Sequence, residues 1–210
     1  MKNTTIGIVV LGLLFAVQSV TAGQPAFDPR SIAAEHDIAV FAGGCFWCME
    51  PPYDALEGVI ETISGYTGGT LSNPTYRQVV QGGTGHYEAV LVVYDPAVVS
   101  YERLLEVFWF NIDPLDAGGQ FCDRGDMYLS GIFVRNDRQE AAAISSRDAL
   151  VRSRRLPGRI VTEIMSLQTF YVAEEYHQDY YRKNPLQYRF YRIGCGRDAR
   201  LQQLWGSDAP

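Results

Sequence analysis

Between Asp37 and Arg182, short apolar runs alternate with segments of helical period. No Gly/Ser/Pro-rich stretch between them is long enough to separate two domains, so the pattern predicts one α/β domain. Asp37 to Ala42 reads as a strand ending in Gly43-Gly44, and Cys45 then opens a helical segment to about Glu57, bent or shortened by Pro51-Pro52. The β-branched run Val59 to Gly65 predicts a strand, followed by a loop from Gly68-Gly69 through Asn73-Pro74, with Tyr76 just beyond it. His86 to Asp95 carries the strongest strand signal, because Val90, Leu91, Val92 and Val93 are apolar on both faces, as in a central buried strand. Ser100 is placed to cap a helix to Phe110, and Asp113 to Tyr128 reads as a loop. Ile132 to Arg135 predicts a strand, and Asp137 with Glu140 three residues on resembles a capping box opening the next helix. A further strand is expected at Ile160 to Met165 and a helix over Ala173 to Arg182. The pattern fades beyond Arg189, so a mobile tail is expected from about 190.

The N-terminus does not fit this alternation. Lys2 precedes an apolar run, Ile6 to Val17, too short to span a bilayer, and Val20-Thr21-Ala22 matches a small-x-small cleavage site. Residues 1–22 therefore read as a signal peptide and 23–36 as an N-terminal extension before a domain at 37–210. An uncleaved anchor is the alternative. Export, to the periplasm or beyond the cell, puts Cys45, Cys48, Cys122 and Cys195 where disulfides persist. A domain of this size buries a core without disulfide staples or a structural metal, which leaves the four cysteines free for chemistry. Lys+Arg 18 against Asp+Glu 24, a net charge of -6, argues against a nucleic-acid surface. His36, His86 and His177 are too scattered for a metal site.

A thiol after a strand and two glycines, at a helix start, meets free backbone donors that favour a thiolate, which makes Cys45 the best nucleophile. Phe46 and Trp47 beside it suit a methyl or thioether group. Glu88 heads an apolar central strand, where desolvation raises a carboxyl pKa and keeps a proton donor charged with its proton near neutral pH. Taken singly, each has a plainer reading: a buried inert cysteine among core rings, and a solvated strand-end carboxylate. His86 is the rival acid.

The segments Gly43-Gly44-Cys45-Phe46-Trp47-Cys48-Met49-Glu50, Gly65-Tyr66-Thr67-Gly68-Gly69, Asn73-Pro74-Thr75-Tyr76, Gly85-His86-Tyr87-Glu88-Ala89-Val90, Tyr94-Asp95-Pro96 and Ala173-Glu174-Glu175-Tyr176-His177-Gln178 occur in one order. Together they resemble the A-type peptide methionine sulfoxide reductases, in a variant with cysteine, here Cys48, where glycine is commoner. The resemblance spans about Asp37 to Trp205. It implies a two-layer α/β sandwich with a mixed sheet, a ferredoxin-like plait, and reduction of the S epimer of methionine sulfoxide, free or in proteins, without cofactor or metal. Carried over, Cys45 is the nucleophile, Phe46 and Trp47 hold the ε-methyl group, and Glu88 is the proton donor. Tyr76 and Tyr128 match the hydroxyls that bind the sulfoxide oxygen, and Asp123 the polar residue that orients the pocket. Met127 and Leu129 bracket Tyr128 where the family often has glutamine and arginine.

The family chemistry leaves a sulfenic acid on Cys45, which a second thiol condenses to a disulfide. Cys195, between two glycines, resembles the family's C-terminal recycling cysteine and is favoured over Cys48 as the resolving thiol. Cys122 reads as a small buried hydrophobe. A thioredoxin-like reductant and a monomer are the default expectations. Competing readings are a general thiol-disulfide oxidoreductase, from Cys45-Phe46-Trp47-Cys48, a binding domain with two structural disulfides, and a zinc site.

Overall fold

A computed structural model of the chain describes residues 23–206. Its strands are β1 (Asp37–Gly43), β2 (Val59–Thr67), β3 (Tyr87–Tyr94), β4 (Gly119–Gln120), β5 (Asp123–Arg124), β6 (Ser130–Val134), β7 (Glu163–Ser166) and β8 (Tyr171–Val172). The helices are α1 (Glu50–Asp54), α2 (Tyr76–Val80), α3 (Tyr101–Phe110), α4 (Asp137–Ser153), α5 (Tyr180–Lys183), α6 (Pro185–Gly194) and α7 (Arg197–Trp205). Six strands form one sheet in the order β7-β6-β1-β3-β2-β8. Only β6 and β7 run parallel, so the sheet is mixed, and its inner four strands have the order and antiparallel pairing of a split-βαβ, ferredoxin-like plait.

β1 and β3 pair at the centre and are buried on both faces, which explains their continuous apolar runs. On one face Phe41 stacks on Tyr53 of α1 and Phe108 of α3, with ring centroids 5.3 and 5.2 Å apart. On the other, Val40, Leu91 and Val93 are covered by Phe170 and by Phe27 and Ile32 of the N-terminal extension. That extension is therefore part of the fold: Phe27 N–H donates to Phe170 O at 2.7 Å.

The strands β1, β2, β3 and β6 and the helix α3, capped by the Ser100 side chain, lie where the pattern predicts. Four expectations are corrected. The helix expected from Cys45 is a 3-10 turn, Phe46–Cys48, followed by the short α1, because Pro51-Pro52 fit only the first turn of a helix. α4 is capped by Asn136, whose Oδ1 accepts from Gln139 N–H at 3.0 Å, and not by Asp137. Residues 173–179 form turns and not a helix: Asp179 is left-handed at φ 52°, and the Gln178 side chain bonds to the backbone of Ser64. The tail beyond 190 is helical and packed, not patternless. Leu201, Leu204 and Trp205 share one face of α7, a spacing too brief to stand out in the sequence. Trp205 donates its indole N–H to Ile112 O at 3.2 Å, and the buried Arg197 guanidinium donates to Gly43 O and Asn111 O at 3.1 and 2.6 Å. The signal-peptide reading falls on residues 1–22, outside those described.

Truncating Trp205 to alanine is expected to cost about 3–5 kcal/mol in urea unfolding followed by circular dichroism. A loss under about 1 kcal/mol would mean that α7 is not part of the core.

Candidate active site

Cys45 stands in the turn that leaves β1. Gly44 is left-handed at φ 79°, and a Cβ there would lie 2.6 Å from Gln120 Cβ, so only glycine lets β1 turn this tightly beneath the β4 hairpin. Along β3, alternation sends residues 88, 90, 92 and 94 to the helix-covered face, where Val90, Val92 and Tyr94 enter the core. Glu88 is the first of this row, and it emerges under the Cys45 turn, 2% exposed. Phe46 N–H donates to Glu88 Oε2 at 3.3 Å and ties the carboxyl to the residue after the thiol. Burial pushes the Glu88 carboxyl up to about 8; Asp123 and Cys48 push the same way, while the Phe46 N–H and the Tyr128 hydroxyl oppose them. Glu88 is thus a protonated acid at neutral pH.

A cavity of about 80 Å³ opens between Cys45, Phe46, Trp47, Tyr76, Glu88, Asp123, Tyr128 and Tyr191. It is far smaller than the roughly 300–1,000 Å³ of a drug-sized ligand pocket, and it suits the end of one unbranched side chain. A wider cleft of about 960 Å³ lies along α4 and β7. It holds no cysteine, so the chemistry belongs to the small cavity. Burial also pushes Tyr76 up to about 12 and raises Tyr128, so both phenols stay protonated as donors. Every residue that the sequence reading assigned to substrate or proton transfer, Cys45, Phe46, Trp47, Tyr76, Glu88, Asp123 and Tyr128, lines this one cavity.

The structure pairs two of the four cysteines, against the expectation for Cys122. Cys122 and Cys195 form a disulfide, with sulfurs 2.03 Å apart, and Cys45 and Cys48 are free thiols. Cys122 is exposed and covalently bonded, not a small buried hydrophobe. The β4–β5 hairpin presents it to the C-terminus of α6, a meeting of positions 73 residues apart that no local pattern could announce. Cys45 donates its thiol hydrogen bond to Cys48. Burial raises the Cys45 thiol well above its ordinary value, whereas that hydrogen bond and the Arg197 and Arg192 charges bring Cys48 down to about 6. The 3-10 turn is too short to supply the helix field expected at Cys45, so the expected thiolate bias is corrected: it falls on Cys48, and Cys45 is held as the thiol. Asp123 and the two bonded sulfurs cluster closely, but both sulfurs are taken by the disulfide.

Tyr191 and His177 were not singled out as site residues. Tyr191 comes from α6, four residues before Cys195; its hydroxyl donates to Asp123 Oδ2, and the residue lines the cavity with Cys45. The amphipathic spacing of α6 was the available signal, obscured because the helix has no buried side chain. His177 accepts the Trp47 indole N–H through Nδ1 at 3.2 Å, and Tyr180 stacks on the other side of Trp47, with centroids 3.8 Å apart.

A buried thiol pair beside a protonated carboxyl and two phenols, in a pocket walled by rings, defines a thiol-based reductase acting on a small polarised group. Residues 37–209 match the family model described as peptide methionine sulfoxide reductase. Relatives include peptide methionine sulfoxide reductase MsrA of Bacillus licheniformis, 50% identical over 83% of this chain and 97% of its own. MsrA 2 of Caulobacter vibrioides is also 50% identical, over 92% of this chain and 97% of its own. Among solved structures, reduced Mxr1 of Saccharomyces cerevisiae is 30% identical with a TM-score of 0.69, covering 76% of this chain and 90% of that one. The chain belongs to the peptide methionine sulfoxide reductase family, A type.

Proposed function

We propose that the protein reduces the S epimer of methionine sulfoxide, free and in proteins, through a sulfenic acid on Cys45. One observation carries the reading: Cys45 and a protonated Glu88 face the same small, ring-walled cavity. Phe46 and Trp47 receive the methyl group, and Asp123 holds the far wall. Tyr76 and Tyr128 donate to the sulfoxide oxygen, which makes the sulfur electrophilic. Cys45 Sγ bonds to that sulfur as its proton passes along its hydrogen bond to Cys48 and Glu88 protonates the oxygen. The oxygen then passes to Cys45 as the Cys45–sulfur bond breaks, so methionine leaves as the thioether, and Glu88 regains its proton from solvent.

Cys48, hydrogen-bonded to Cys45, is the first resolving thiol: its attack on the sulfenic sulfur forms Cys45–Cys48 and releases water. Cys195 acts next. Reduced Cys195 attacks the Cys45–Cys48 bond and Cys122 then closes on Cys195, so two electrons and two protons pass inward and both active-site thiols are regenerated. The oxidised Cys122–Cys195 bond, with Cys122 exposed, is open to a dithiol reductant of the thioredoxin class. The leader-like residues 1–22 support a repair role outside the cytoplasm, where such a disulfide persists.

Single-turnover assays with separated epimers are expected to show reduction of the S epimer alone, abolished in Cys45→Ser. The rate should be level at neutral pH and fall above about 8 as Glu88 loses its proton, with Glu88→Gln about 10²–10⁴-fold slower and without that fall. Reduction of both epimers, or the same fall in Glu88→Gln, would contradict the assignment. Fully reduced protein without added reductant should yield about two methionines per chain, falling to about one in Cys48→Ser and in the Cys122→Ser, Cys195→Ser double variant. About one from the unaltered protein would exclude the internal transfer, and about two from Cys48→Ser would return resolution to Cys195.

A further inference from the structure

The segment Ala173 to Gln178 contributes no atom to the reaction proposed above, yet it holds two groups whose burial needs explaining. His177 is 1% exposed, and burial holds its imidazole down at about 4, so the ring is neutral throughout the working pH range. A phenylalanine would fill this space among Phe46, Tyr76 and Tyr176, whose rings lie 4.9, 4.5 and 4.1 Å from the imidazole, without the cost of desolvating two nitrogens. What a phenylalanine lacks is an acceptor. His177 Nδ1 takes the Trp47 indole N–H at 3.2 Å, which assigns the ring proton to Nε2. Nε2 faces Glu174 Oε2 at 4.0 Å.

Glu174 has its own attachments. Oε2 accepts the Tyr66 hydroxyl of β2 at 2.8 Å, and Oε1 accepts the backbone N–H of Tyr76, also at 2.8 Å. One carboxylate thus fixes the first residue of α2, which carries the Tyr76 phenol, and fronts the imidazole that holds Trp47. The turn is fastened to β2 a second time: the Gln178 side chain accepts from Ser64 N–H and donates to Ser64 O, both at 2.9 Å. Tyr180 defines the plane of the Trp47 indole by stacking, but stacking leaves the ring free to turn within that plane. The hydrogen bond to His177 removes this last freedom.

We propose that Glu174 and His177 are positioning residues: Glu174 sets Tyr76 through its backbone N–H and holds the His177 backbone through its own carbonyl, and His177, through the Trp47 indole N–H, sets the wall of the methyl pocket beside Cys45. The dyad rests on the reductase reading for its kinetic consequence, but its hydrogen bond is observable without turnover. In ¹⁵N-labelled protein the three tryptophan indole N–H groups have different acceptors: His177 for Trp47, Ser146 for Trp109 and Ile112 O for Trp205. His177→Phe keeps the ring and removes the acceptor. His177→Asn puts an amide oxygen close to the place of Nδ1.

The expected result is that the Trp47 indole resonance, assigned by its absence in Trp47→Phe, moves in His177→Phe and returns towards its original position in His177→Asn, while those of Trp109 and Trp205 stay in place. In the same preparations KM for the S-sulfoxide should rise about tenfold in His177→Phe with kcat changed less than about threefold, and fall back to within about threefold of the unaltered enzyme in His177→Asn. An unmoved Trp47 resonance in His177→Phe, or an unchanged KM, would overturn the proposal. If His177→Phe fails to fold, Glu174→Ala carries the test: a raised KM with a moved Trp47 resonance supports the dyad, and neither change overturns it. Absence of turnover in the unaltered protein, with the resonance shift intact, would instead count against the reductase reading.

Discussion

The bond from Phe46 N–H to Glu88 Oε2 joins the two central strands of the sheet at the point where the chemistry occurs. β1 and β3 pair in fixed register from Asp37 with Tyr94 to Phe41 with Val90, so the end of β1 and the start of β3 arrive together. What they deliver is a thiol just past one strand and a carboxyl at the head of the other. A slip of one residue in β3 would turn Glu88 to the opposite face of the sheet and bring a tyrosine or an alanine under Cys45. The apolar run that follows Glu88 guards against that slip and also supplies the desolvation that keeps the carboxyl protonated.

Around this junction, second elements hold the pocket walls in place. The 173–179 turn sets Trp47 and Tyr76 through His177 and Glu174, and α6 brings Tyr191 to Asp123 and Cys45. The Cys122–Cys195 disulfide ties the end of α6 to the residue just before Asp123, so the redox centre nearest the surface also supports one wall of the cavity. Arg197, buried at the start of α7, donates to the carbonyl of Gly43 and biases Cys48 towards its thiolate. The tail is thus an integral part of the site.

How much of this was legible depended on distance along the chain. Cys45, Phe46 and Trp47 occupy one short motif, and Glu88 stands at the head of a strand whose apolar run is unmistakable; both signals are local. Tyr76, Asp123 and Tyr128 came through the family resemblance, and the cavity gathers them with the others. Cys122 and Cys195 meet from a β-hairpin and a helix end, so their pairing depends on tertiary packing alone. His177 sits in a turn that composition makes look helical, and Tyr191 lies on a helix without one buried side chain, where no apolar period marks it. The apolar face of α7, only Leu201, Leu204 and Trp205, is clear once the cavity it fills is known.

The account stands on the protonation of Glu88, and ¹³C NMR of the labelled glutamate side chains measures it directly. The Glu88 carboxyl carbon, assigned by its loss in Glu88→Gln, is predicted to titrate with a midpoint near 8 in the reduced protein. A midpoint near the ordinary glutamate value of about 4.3 would mean that the carboxylate is ionised at neutral pH and that the proton for the sulfoxide oxygen comes from another group.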